Sequence, residues 1–102
     1  MIEVTVLIPV RDNAGVIFDA ETHLQFEGFV VERCGGFTQY PLHSVGAWQF
    51  AGLLYRDDAR IYIIAFKSIT ETAHIGAVAA MAKAIYRQKA IYIRYLGLSE
   101  EL

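Results

Sequence analysis

The sequence predicts an α+β domain in which a four-stranded antiparallel sheet carries two helices on one face. Three observations predict it. The chain opens on an alternating apolar run at residues 3–8. Two β-branched, tyrosine-bearing runs near the end, Ile61-Tyr62-Ile63-Ile64-Ala65-Phe66 and Ile91-Tyr92-Ile93-Arg94-Tyr95-Leu96, flank a helical repeat. A second helical stretch follows the opening strand.

In the first strand Val4, Val6 and Ile8 share one face, and Pro9 weakens the pairing because it has no N–H to donate. Arg11-Asp12-Asn13-Ala14-Gly15 reads as a turn. The first helix is expected from Asp19, a good N-cap, through Ala20, Leu24, Val31 and Cys34, with Phe29 and Val30 widening the apolar stripe. Gly28 weakens it inside, and Gly35-Gly36 supplies the stop, since glycine accepts a positive φ.

Residues 37–50 favour strand through Phe37, Tyr40, Val45, Trp48 and Phe50, but Pro41 and Gly46 interrupt. A bent edge strand with a bulge near Gly46 is expected. Arg56-Asp57-Asp58-Ala59 reads as the polar interval of a hairpin leading into a strand at 60–67. Ser68-Ile69-Thr70-Glu71 matches a capping box, with Thr70 as a competing cap. The second helix places Ile75, Val78, Ala79, Ala82, Ile85 and Tyr86 on one stripe, with Lys83, Arg87 and Lys89 toward its C-terminal end, where cations suit the dipole. The last strand is 90–96, stopped by Gly97 before a short acidic tail, Leu98 to Leu102.

The order β-α-β-β-α-β is the ferredoxin-like split βαβ pattern, here one domain over residues 1–102. Its first and third strands are central. Val4, Val6, Ile8, Ile61, Ile63, Ile91 and Ile93 are expected on the helix side. Thr5, Leu7, Tyr62, Ile64, Phe66, Tyr92 and Arg94 are expected on the open side. An open face that apolar needs a cover, so a homodimer is expected, either a dimeric α+β barrel or a sheet-to-sheet pair.

Bulk composition agrees. The hydrophobic fraction is 55%, against about 45–50% in ordinary globular chains. No apolar run approaches the ~20 residues of a membrane span, and Met1-Ile2-Glu3-Val4 has no signal-peptide character, so neither membrane insertion nor export is expected. A formal charge of −2 gives no footprint for DNA. One cysteine, Cys34, excludes an intrachain disulfide and a cysteine metal site, is expected to be a small buried apolar residue, and fits a reducing, cytoplasmic setting.

The candidate site residues follow from chemistry. Tyr40, Trp48, Tyr62, Phe66, Tyr92 and Arg94 are the expected ligand-binding set, for an apolar or aromatic small molecule. Arg94, alone on an apolar face, needs a partner: Glu3 first, then a second subunit, then an acidic ligand. Arg11-Asp12 is expected to be a local ion pair, and secondarily an anchor for a carboxylate at the sheet end. The spacing of His23, His43 and His74 supports no metal site, and Gly35-Gly36 lacks the Lys-Ser/Thr of a phosphate loop, so no cofactor is expected.

The leading function is a homodimeric small-ligand-binding or interaction module. The alternative is a cofactor-independent enzyme resembling the dimeric α+β barrel monooxygenases and isomerases, in which His43, Trp48 and Tyr62 would form the catalytic group. A weaker alternative stacks single-stranded RNA on Tyr62, Phe66 and Tyr92, although no RNP1 pattern is present.

The pattern Gly36-Phe37-Thr38, then Gly46-x-Trp48, then Tyr86 ahead of Gln88-x-x-Ile91 resembles a family of small uncharacterised bacterial domains. Those show a Gly-aliphatic-Thr stretch after the first helix, a Gly-x-Trp, and an aromatic-Gln-acid-aliphatic end to the second helix. The resemblance covers about residues 15–95, with Lys89 where the family has an acid, and the exported N-terminus of some relatives is lacking. It implies a ferredoxin-like fold and supplies no catalytic residue.

Overall fold

The computed structural model of the chain describes residues 1–95 and, among them, every side chain except those of Trp48, Phe50, Tyr55 and Arg56. The expected strand end at Leu96, the Gly97 stop and the acidic tail lie outside the described residues. The elements are β1 (Ile2–Pro9), α1 (Ala20–Cys34), β2 (Thr38–Gln39), β3 (Ser44–Phe50), β4 (Leu53–Phe66), α2 (His74–Tyr86) and β5 (Tyr92–Tyr95). The sheet runs β2-β4-β1-β5 with every pairing antiparallel, and β3 continues the β2 edge against β4. This is the expected ferredoxin-like α+β arrangement, with β1 and β4 central and the two late strands either side of β1.

The bent edge strand is present, but its break is elsewhere. Gly46 pairs regularly with Asp57, and the interruption falls at Tyr40–His43, between β2 and β3. Pro41 explains it, because a residue without N–H cannot hold a ladder position. The hairpin turn also moves. Ala51 and Gly52 carry φ of 52° and 79°, so two left-handed residues link Phe50 to Leu53. That is the two-residue turn whose twist matches antiparallel strands. Asp57, Asp58 and Ala59 are therefore paired inside β4 rather than forming a loop.

The larger correction concerns faces. In antiparallel strands, directly opposed residues share a face. The register pairs Val4 with Ile64, Val6 with Tyr62 and Ile2 with Phe66, while Thr5 opposes Ile63 and Leu7 opposes Ile61. Tyr62, Ile64 and Phe66 thus lie on the helix side and Ile61 and Ile63 on the open side, the reverse of the expectation. A one-residue change of phase exchanges every side chain between faces. The expected sides of β1 and β5 stand, since Val6 opposes Ile93 and Leu7 opposes Tyr92.

The core forms between that helix side and the two helices: Val4, Val6, Ile8, Tyr62, Ile64 and Phe66 against Phe26, Val30, Ile75, Val78, Ala82 and Tyr86. The α2 stripe is as expected. On α1 the buried residues are His23, Phe26 and Val30, and Leu24 (63% exposed) and Val31 (48%) face outward. Asp19 caps α1, accepting at 2.8 Å from the Thr22 N–H, and Gly35 ends it at φ 91°. Ahead of α2, a short 3₁₀ turn at Thr70–Ala73 replaces the capping box. The Glu71 carboxylate accepts instead from the Lys67 N–H at 3.1 Å, and no side chain caps α2 itself.

Candidate functional site

The open face ends in a recess of about 970 Å³. Its floor is β1 and β5, through Leu7, Pro9 and Tyr92, and its walls are the turn after β1, the first half of β3, the stretch of β4 paired with it and the segment before β5. Position follows from pairing. Arg94 stands beside Thr5 and Tyr92 beside Leu7, so the two β5 side chains lie on the open face one step apart. Thr5 and Ile63 are buried among their neighbours, whereas Tyr92 is 56% exposed.

The Arg94 guanidinium lies 5.7 Å from the centroid of the Tyr92 ring, with Nη2 3.5 Å from its hydroxyl. Its expected ion pair with Glu3 is not formed, because the ladder sets Thr5 opposite Arg94 and pairs Glu3 with Ala65. The Arg11–Asp12 pair is not formed either. Asp12 turns back on its own loop, accepting from the Ala14 and Val16 N–H groups at 2.9 and 2.8 Å, and its other oxygen lies 4.0 Å from Arg87. Among the described residues, neither Arg11 nor Arg94 has an acidic partner.

The expected site residues divide. Tyr92 and Arg94 line the recess. Tyr40 is half exposed beside β2, its N–H donating to the Ile61 carbonyl at 3.0 Å, away from the recess. Trp48 sits on β3, and its side chain lies outside the description. Tyr62 and Phe66 are in the core and cannot meet a ligand on the open face. His43 is exposed between β2 and β3 and does not line the recess. The described members of the expected catalytic group, His43 and Tyr62, therefore do not converge there. The RNA platform loses Tyr62 and Phe66 to the core.

Beneath α1 lies a polar cluster that the apolar pattern concealed. The Tyr62 hydroxyl donates to Glu27 Oε2 at 2.5 Å, and Arg60 donates to the Tyr62 hydroxyl at 3.1 Å and to Glu27 at 3.4 Å. Gln39, with its amide oxygen turned inward, accepts from Arg60 at 3.1 and 3.3 Å. Burial, followed by the bond to Glu27, raises the Tyr62 phenol far above its usual range. One turn earlier on α1, His23 Nδ1 lies 2.7 Å from the Tyr86 hydroxyl. Burial lowers the His23 pKa, and the Arg60 charge lowers it further, while burial raises Tyr86. Among the described residues the Tyr86 hydroxyl has no other partner, so it donates to Nδ1 and the imidazole carries its proton on Nε2. The signal for this cluster was His23 and Glu27 at i, i+4, a spacing that places both on one face of a helix.

Among the described residues, no three His, Cys, Asp or Glu side chains come together to hold a metal ion. None of the described helices is long and apolar enough to cross a membrane. Cys34 is half-buried against the core, and burial raises its thiol pKa.

Sequence comparison finds no matching family model and no matching curated protein. Structure comparison finds the fold repeatedly. A divalent cation tolerance protein (CutA1) from Thermus thermophilus superposes with TM-score 0.64 at 13% identity, covering 99% of this chain and 86% of that one. CutA from Xylella fastidiosa gives 0.63 at 14% identity, covering 99% and 86%. A phage SAM lyase in complex with S-methyl-5'-thioadenosine gives 0.64 at 13% identity, covering 93% and 79%. At such identities the likeness establishes the fold, a small ferredoxin-like domain, and nothing finer.

Proposed function

We propose that this chain is a small-ligand-binding domain whose ligand sits in the open-face recess, and that two copies pair through the rest of that face. The observation that carries the reading is the recess itself. A concavity of about 970 Å³ is at the upper end of the roughly 300–1,000 Å³ of ligand sites, and an apolar floor with a few polar groups at the rim is how such sites are built. The phage SAM lyase described with S-methyl-5'-thioadenosine supports the idea that this fold can hold a small organic molecule. Pairing is supported by the apolar excess of the sequence and by Leu7, Ile61 and Tyr92, which the two helices leave uncovered. A reducing, cytoplasmic setting is supported by the single, half-buried Cys34. Catalysis is not part of the proposal, because His43 stands apart from the recess.

Native mass spectrometry of gently purified protein tests both halves together. The expected spectrum is a dimer carrying non-protein mass. A monomer at micromolar concentration refutes the pairing. A bare polypeptide mass that gains nothing on incubation with small aromatic ligands refutes the binding.

A further inference from the structure

We propose that the recess selects a small organic anion, a flat ring bearing a carboxylate or phosphate, with Arg11 and Arg94 as its charge contacts; this rests on the ligand-binding reading above. Two guanidinium groups line the recess, and neither has an acidic partner among the described residues. Three aspartates line the recess as well. Asp12 is taken by two backbone N–H groups and faces Arg87. Asp57 and Asp58 of β4 line the opposite wall, and Asp57 is already engaged in an interaction of its own. The two guanidinium groups are thus the cations the recess offers to an anion, set among three aspartates.

Geometry supplies the rest of the ligand. Along β1 the open-face positions are Thr5, Leu7 and Pro9, with Arg94 opposite Thr5, Tyr92 opposite Leu7, and Arg11 two residues past Pro9. The apolar floor thus lies between the two cations. Tyr92, Leu7 and Pro9 offer a surface on which a flat ring packs. Arg94 lies 5.7 Å from the Tyr92 ring centroid with Nη2 3.5 Å from its hydroxyl, leaving the other N–H groups of the fork unspent. A planar guanidinium fork presents paired N–H donors that match a carboxylate or phosphate.

The test is titration calorimetry on the full chain with two matched pairs: adenosine monophosphate against adenosine, and benzoate against benzamide. One pair reports on phosphate and the other on carboxylate. At least one anion should bind roughly tenfold or more tightly than its neutral mate, as expected for a charge-assisted contact. Arg94→Gln and Arg11→Gln should each weaken that anion about three- to tenfold. They should leave the neutral mate and the melting temperature unchanged. Equal binding of anion and neutral mate overturns the anion assignment while leaving the ligand-binding reading intact. So does an anion preference that survives both substitutions. Binding by neither pair overturns both readings.

Discussion

Protonating His23 sets two donors against each other. In the neutral protein the Tyr86 hydroxyl donates to Nδ1; once Nδ1 carries a proton, the phenol must turn its own hydrogen into a site with no exposure. The charged groups that bear on this imidazole are Asp19 and Glu27 on its own helix, Arg60 on β4 and His43 before β3. Burial and the Arg60 charge hold the folded pKa below the ordinary 6.5. The unfolded chain then binds the proton more readily, so stability is complete above the unfolded value and is lost as pH falls through the folded one. The slope there is at most about 1.4 kcal/mol per pH unit. Melting temperature should fall between neutral pH and pH 5 in the native chain, and His23→Gln should flatten that fall. An equal fall in both proteins removes His23 from the account. Tyr62→Phe keeps the ring packed against Phe26 and Phe37 but strips the hydroxyl from Glu27 and Arg60. Both partners reach some solvent, so the cost is about 1 kcal/mol, seen as a fall of about 4–8 °C in melting temperature.

At the scale of elements, most of the fold was written in periodicity. The α2 stripe could be read directly, because Ile75, Val78, Ala82 and Tyr86 follow one helical period and end up buried together. The β4 faces could not. Ile61-Tyr62-Ile63-Ile64 is apolar at both parities, so alternation gives no phase, and the choice was made by a polar contact beneath α1. Tyr62 can be buried because Glu27 receives its hydroxyl. The hairpin was legible as a hairpin but not in its turn, since Ala51 is an unusual residue for a positive φ. That yields a prediction. Ala51→Asn, better suited to the left-handed region, should stabilise the β3–β4 turn by up to about 1 kcal/mol. Gly52→Ala, at φ 79° and with open space around it, should destabilise it by about 1 kcal/mol through backbone strain alone. Thermal unfolding of the two variants checks the pair, and shifts of the same sign would contradict the turn assignment.

For the whole molecule, the consequence of the β4 phase is a change in what the open face offers. It carries one described aromatic on its late strands, Tyr92, beside Leu7, Ile61, Ile63 and the Arg94 guanidinium. It is thus less a stacking platform than an aliphatic surface with a charged recess at one end. Ile61 lies on the face but not in the recess. Ile61→Glu should therefore convert the proposed dimer to monomer in sedimentation velocity while leaving benzoate or adenosine monophosphate binding intact. A dimer that persists would move the contact elsewhere. The location of the site is the central claim, and amide chemical-shift mapping during titration with the tighter-binding anion tests it most directly. The largest shifts are expected at Leu7, Arg11, Ile91, Tyr92 and Arg94, all of which line the recess. Shifts centred on His43, His23 or the outer surface of α1 would contradict it.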